Sequence, residues 1–423
     1  MVYMAQSTIT GTVFITSKIP TPVGNFQTSL EGTAYTRVDN MGIASSGSQG
    51  FGKHNFLKLL MPPQRSSTSG ETPIAVVKKS HQFQFNFVVP QQLLPTSCRL
   101  TRNGDSHHQQ HLQAPPSLGA EFQVTEDICP DAATVEYAIK VKIHEPSKAP
   151  RLLSSRVFYV VPDSIEQPPS IFDYSSNAHV LRQTKRLKTL LRGNLGTITI
   201  ESTEPSRILI TPRGPLNPPS TTAVLVNVRF DPTNESDFPP SLSCLKSKIR
   251  TSTYYSVKPH AFERMIESRN ELKDIHEFST KLPTRDISGV QWKKLREYSS
   301  SRQGILNETP YYISTIKLPI TLPESGNWLP SFYSCLISRV YTVDINLSIH
   351  TSGPSLNSAT ISLKIPVQVS AVSSSSIRTA FDAVVEHNEA EEFFTSRIIT
   401  PPNMGFEGQD ADSRRSDSSP DYF

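Results

Sequence analysis

Gly47-Ser-Gln-Gly-Phe-Gly-Lys53 has the Gly-x-x-x-x-Gly-Lys spacing with which backbone amides cradle a phosphate. That chemistry also needs Ser or Thr after the lysine to hold magnesium, with a buried strand before the loop and a helix after it. Here His54 follows and neither flanking element is legible, so residues 42–53 are expected to form a flexible loop. His107, His108 and His111 make a second cluster, His-His-x-x-His, which on a helix would set two imidazoles on one face for zinc. The preceding Asn103-Gly-Asp-Ser106 reads as a turn, and no cysteine or carboxylate is spaced to complete a ligand set. Glu126, Asp127 and Asp131 lack the glycine and terminal glutamate of a calcium-binding loop, so they read as an acidic surface loop. Cys98 and Cys335 stand beside apolar strand residues, the surroundings of a packed thiol rather than a reactive one. No Gly-x-Ser-x-Gly elbow occurs. The chain therefore reads as a non-enzyme, with no catalytic, cofactor or metal site assigned.

The segments around these clusters are strands. In His81-Gln-Phe-Gln-Phe-Asn-Phe-Val-Val-Pro90, the residues Phe83, Phe85, Phe87 and Val89 alternate with their neighbours, and Pro90 stops the pairing. Val135, Tyr137, Ile139, Val141 and Ile143 alternate with Glu136, Lys140 and Lys142, giving a strand with one wet face. Thr222–Phe230 puts Val224, Val226, Val228 and Phe230 in step. The 423 residues hold 34 prolines and 19 glycines, a composition suited to many strands joined by stiff polar loops. Pro168-Pro169 marks a linker, and the segment from His260 to Phe278 has helix-like spacing of Phe262, Met265, Ile266, Leu272 and Ile275. Strand signals end at residue 372, and residues 373–423 read as a flexible tail.

Charge and cysteine usage set the setting. Forty-two Lys and Arg against 38 Asp and Glu leave a net charge of +4, without the concentrated excess that nucleic-acid binding needs. Four separated cysteines without a Cys-x-x-Cys pair fit reduced thiols in the cytoplasm. No apolar run of about 18 residues predicts a membrane span, and the opening residues do not look like a secretory signal. The densest basic run is Arg182-Gln-Thr-Lys-Arg-Leu-Lys188. Its Lys185, Arg186 and Lys188 are candidates for contact with anionic lipid; a solvated strand edge is the competing reading.

Taken in order, the Phe-rich strand, Pro115-Pro-Ser-Leu-Gly119, Glu126-Asp-Ile-Cys-Pro-Asp131 and the strand over Thr134–His144 resemble the amino-terminal domain of fungal arrestin-like proteins. Within that group the resemblance lies near the Bul-type ubiquitin-ligase-binding adaptors. Leu225-Val-Asn-Val-Arg-Phe-Asp-Pro232, Ser331–Tyr341 and Lys364-Ile-Pro-Val-Gln-Val369 resemble the carboxy-terminal domain. The resemblance implies an all-β chain of two arrestin-like antiparallel β-sandwich domains with a disordered C-terminal tail. The domains would span 1–163 and 178–372, joined by a linker over 164–177, with a partly helical insertion near 258–306 and the tail over 373–423.

It also implies a trafficking adaptor that joins cytosolic segments of membrane transporters or receptors to the WW domains of a HECT-type ubiquitin ligase for ubiquitin-dependent endocytosis. Such an adaptor would be cytoplasmic, with peripheral contact at the plasma membrane or endosomes. Family members dock the ligase through Pro-Pro-x-Tyr, which WW domains read as a preformed polyproline II segment. In the tail, Ser419, Pro420 and Tyr422 match x-Pro-x-Tyr and lack the first proline. An alternative reading therefore stays open: a ligase-independent sorting or signalling scaffold of the same fold.

Overall fold

A computed structural model describes residues 2–16, 21–22, 26–39, 49–62, 76–77, 80–98, 111–119, 131–144, 147–162, 181–189, 193–211, 221–259, 273–300, 306–323, 328–350 and 358–372. Their regular structure is almost wholly strand, and the chain is all-β. Up to residue 162 the strands are β1 (Val2–Tyr3), β2 (Thr8–Thr16), β3 (Thr21–Pro22), β4 (Phe26–Asp39), β5 (Gln49–Leu60), β6 (Val76–Val77), β7 (Ser80–Val88), β8 (Ala133–Ile143) and β9 (Arg151–Val160). Five of them form a sheet in the order β1-β9-β8-β4-β5, while β2 pairs with β7 and β3 with β6.

The alternation in β8 works as its sequence predicts. Val135, Tyr137 and Ile139 are buried, and Glu136, Lys140 and Lys142 keep partial access to water. The Phe-rich strand pairs antiparallel with β2, setting Phe87 opposite Ile9 and Phe83 opposite Val13. Past its end, the Val89 amide donates to Ser7 O at 3.0 Å, just before Pro90, which has no amide hydrogen to give.

Residues 49–53, expected in a loop, are instead the start of β5. They pair antiparallel with Asp39 to Tyr35 of β4. Glycine signals a turn in sequence, but it also marks close packing. A Cβ on Gly52 would lie 2.3 Å from Thr36 Oγ1 and 2.9 Å from Val257 O, so the absent side chain lets two backbones touch. From Gln49 to Lys53 the phosphate-loop pattern is thus a strand against a neighbouring chain segment, and residues 42–48 lie outside the described residues.

Beyond residue 180 the strands are β10 (Arg182–Thr189), β11 (Gly193–Ser202), β12 (Ile208–Ile210), β13 (Thr221–Pro232), β14 (Ser241–Ser256), β15 (Lys273–Lys281), β16 (Arg285–Asp286), β17 (Lys293–Ser300), β18 (Leu306–Thr321), β19 (Phe332–Tyr333), β20 (Ile337–His350), β21 (Ser358–Val367) and β22 (Val369–Ala371). One sheet runs β10-β11-β13-β18-β17. Another runs β15-β14-β20-β19, with β16 on β14 and β21 on β20. Val224, Val226, Val228 and Phe230 of β13 share a core with Val343, Ile345, Leu347 and Ile349 of β20, all at most 1 % exposed. Burying each such side chain contributes about 1.5–3 kcal/mol against leaving it in water.

The helix expected over 260–278 is corrected where it is described: Lys273–Lys281 is strand β15, antiparallel to β14 with Ile275 opposite Tyr254. The 16-residue β14 offers a long row of amides and carbonyls, and ladder pairing with it outweighs a weak helical period. Residues 260–272 lie outside the described residues.

The first core is not made from the first half alone. Ile210, Ile249, Tyr255, Leu329, Phe332, Leu336, Ile337, Tyr341, Val369 and Ala371 pack into it with Leu30, Phe56 and Tyr137. Thr36 Oγ1 donates to Ser256 O at 2.7 Å, and Tyr341 Oη donates to Leu329 O at 2.6 Å. Met1–Ser374 form one compact unit.

Candidate functional site

The basic run lies on β10, the terminal strand of its sheet. Alternation across the strand divides it. Leu187 is 2 % exposed and joins the second core, so Lys185 shares its side of the sheet. There the Lys185 Nζ donates to Thr360 O of β21 at 2.9 Å, while the Ser362 amide donates to Gln183 Oε1 at 3.1 Å. Arg182, Arg186 and Lys188 occupy the opposite, outer side and are exposed. Arg182 lies 3.9 Å from Glu201, a solvated pair of little energetic weight. Farther along that outer face Arg229 is held by Asp231 and Glu297 and lies 4.2 Å above the Tyr311 ring. Of the three candidate lipid-contacting residues, Arg186 and Lys188 therefore face outward together, and Lys185 braces the sheet edge against β21.

Ser419, Pro420 and Tyr422 lie outside the described residues, as do His107, His108, Glu126 and Asp127. A second x-Pro-x-Tyr run, Thr309-Pro-Tyr-Tyr312, falls within β18, where Tyr312 is buried and Tyr311 lies beneath Arg229.

Sequence reasoning separated three residues that the fold brings together. After β7 the chain turns back on itself: the Leu93 amide donates to Leu112 O at 2.6 Å, and Gln92 bridges Gln113. Pro95–Ser97 forms one 3-10 turn, with the Cys98 amide donating to Pro95 O at 3.3 Å. His54 Nε2 donates to Ser97 O at 2.8 Å and fixes the end of that turn. These bonds set Cys98 and His111 side by side, both buried. Cys335 arrives from the tight turn between β19 and β20. In that turn the Ser334 amide and Oγ both donate to Ile337 O, and the Ile337 amide donates to Ser334 Oγ.

Cys98 and Cys335 are reduced, with their Sγ atoms 3.6 Å apart. The ligand atoms of Cys98, His111 and Cys335 all lie within 4.8 Å of one another. His111 Nδ1 is buried without a hydrogen-bond partner among the described residues. Both cysteines are buried, as their flanks suggested. The signal that was missed is the convergence of His111 with the two thiols rather than with His107 and His108.

Among the described residues, no helix is long and apolar enough to cross a membrane. The sequence matches neither a known family model nor a curated protein.

Proposed function

We propose that the chain is a non-enzymatic adaptor of the arrestin-like kind, which works at a cytosolic membrane surface and links membrane cargo to a HECT-type ubiquitin ligase. The observation that carries this reading is the outer face of β10, where Arg186 and Lys188 project together from the exposed strand at the end of a sheet. A basic residue held near an anionic leaflet gains about 1 kcal/mol, so the pair amounts to about 2 kcal/mol, roughly thirtyfold in affinity. The β-sheet framework supports the reading further, since loops and edges on a rigid scaffold are where partner contacts are built.

The test is co-sedimentation of the full chain with phosphatidylserine–phosphatidylcholine vesicles at low salt, beside Arg186→Glu/Lys188→Glu. Loss of most binding in the variant supports the membrane arm, and equal binding by both proteins refutes it. The ligase arm rests on Pro420 and Tyr422. Its test is titration of HECT-ligase WW domains with the full chain and with Tyr422→Ala. Micromolar binding abolished by the alanine supports ligase recruitment. Because the tail has x-Pro-x-Tyr without the first proline, the second reading is a ligase-independent sorting or signalling scaffold, and negligible binding by both proteins selects it.

A further inference from the structure

We propose that Cys98, His111 and Cys335 are the ligands of a zinc ion that ties the segment after β7 to the turn between β19 and β20. Nothing in this inference depends on the adaptor reading.

The donor set comes first. Two sulfurs and one imidazole nitrogen are the ligands preferred by a borderline-soft, four-coordinate cation. Their spacing fits as well. Tetrahedral zinc with Zn–S bonds of about 2.3 Å needs its two sulfurs roughly 3.8 Å apart, and here they are 3.6 Å apart. A disulfide would need about 2.0 Å; the two sulfurs instead stand at the contact distance of a thiol–thiol hydrogen bond, which already matches the spacing of two metal-bound thiolates.

Burial adds an independent argument. His111 is 4 % exposed and its Nδ1 has no hydrogen-bond partner among the described residues, which for a buried imidazole is a cost without an evident return. A cation between the sulfurs supplies the missing partner for a ring nitrogen. Charge closes the account in the same direction: two thiolates and one dication sum to zero, and a neutral cluster is tolerated in an apolar interior where separated charges are not. Binding is a proton exchange and involves no oxidation. Zinc enters, each thiol releases one proton to solvent, and two Zn–S bonds form. Among the described residues no fourth His, Cys, Asp or Glu ligand atom joins the group, so the fourth position falls to water or to another donor.

The consequence is a cross-link between residues 237 positions apart in the chain. Cys98 follows the 3-10 turn and His111 precedes the bridge at Gln113, while Cys335 sits in the β19–β20 turn; Leu93 and Ala114 on one side and Phe332, Leu336 and Ile337 on the other belong to the first core. The ion would fasten these two parts of that core to each other.

The untagged full chain, purified under a non-chelating reductant, is assayed for zinc by mass spectrometry, then stripped and titrated with cobalt. The expected result is about one zinc per chain, and on cobalt addition a thiolate-to-cobalt charge-transfer band with the visible bands of tetrahedral cobalt. Cys244→Ser keeps both signals, since Cys244 lies near Ser348, away from the group. Cys98→Ser and Cys335→Ser lose the charge-transfer intensity of one sulfur each, and His111→Ala weakens cobalt binding about tenfold or more. Because a cysteine variant can fail to fold, the wild-type chain alone also decides: its melting temperature rises on adding zinc to the stripped, reduced protein. A reduced wild-type chain that takes up no zinc and gives no cobalt–thiolate band overturns the proposal. So does a band that survives undiminished in folded Cys98→Ser.

Discussion

Glu31 offers a sharp test of how the first sheet is held. It lies in the middle of β4, and its side chain is 5 % exposed. Lys142 Nζ lies 2.6 Å from Oε1 and Lys140 Nζ 3.4 Å from Oε2; Ser29 Oγ donates to Oε1 at 3.1 Å. Replacing one partner of a fully buried ion pair costs about 3–5 kcal/mol, because the other charge is left without compensation. Here the lysine side chains keep 14 % and 23 % of their exposure and can turn toward water, so Glu31→Gln should cost less, about 2 kcal/mol.

The pH dependence gives the decisive readout. Burial alone would raise the Glu31 carboxyl, but the bond to Lys142, the charges of Lys142 and Lys140 and the Ser29 hydroxyl together lower it below its ordinary value of 4.5. A carboxyl lowered on folding stabilises the protein above its unfolded value, and that stabilisation is lost as pH falls through the folded value. Urea unfolding followed by tryptophan fluorescence should therefore show a constant gap between wild type and Glu31→Gln at neutral pH. The gap should close as pH falls below the ordinary carboxylate range. A variant as stable as wild type at neutral pH, or a gap independent of pH, would refute the reasoning.

Tyr137→Phe removes a hydroxyl that donates to Pro115 O at 2.7 Å, from a ring buried edge-on against Phe56 at 5.4 Å. The orphaned carbonyl should lower unfolding free energy by about 1–3 kcal/mol with an unchanged circular-dichroism spectrum, and a neutral result would show that the carbonyl finds another donor. Gly196 has φ +156 where β10 and β11 fall out of register, and a Cβ there would lie 2.4 Å from Asp231 O and 2.8 Å from the Phe230 ring. Gly196→Ala should cost about 1–3 kcal/mol in the same denaturant assay, and full stability would mean that β11 shifts at no cost.

How much of this was legible depends on how local each signal is. The alternation in Thr222–Phe230 and Thr134–His144 belongs to the strand itself and survives in the fold unchanged. Gly50 and Gly52 misled because glycine serves both turns and close backbone packing, and the pairing with β4 together with Val257, some two hundred residues away, decides between them. At Lys273–Phe278 a short apolar series fits two periods, and the long edge of β14 chooses the extended one. The basic run was visible as a run, yet its division into an outer pair and a bracing Lys185 follows from the register with β11 and the nearness of β21. Cys98 and Cys335 were each readable as buried. That they share one site with His111 is a property of the chain path, which no spacing rule over neighbouring residues contains.

The same long-range character bears on how such a molecule would work as an adaptor. Tyr341 and Val369 complete a core begun by Leu30 and Phe56, β12 pairs in parallel with β22, and Thr36 bonds to the carbonyl of Ser256. Swinging the early strands away from the late ones would strip apolar side chains such as Ile337 and Tyr341, now wholly buried, at about 25 cal/mol per Å² exposed. Against that cost, binding energy from two or three surface cations is small. Under the adaptor reading, recognition is therefore better built on what already lies outside the cores, the outer face of β10. There the framework holds Arg186 and Lys188 in place, and affinity for an anionic surface would be set by charge and by ionic strength rather than by opening of the fold.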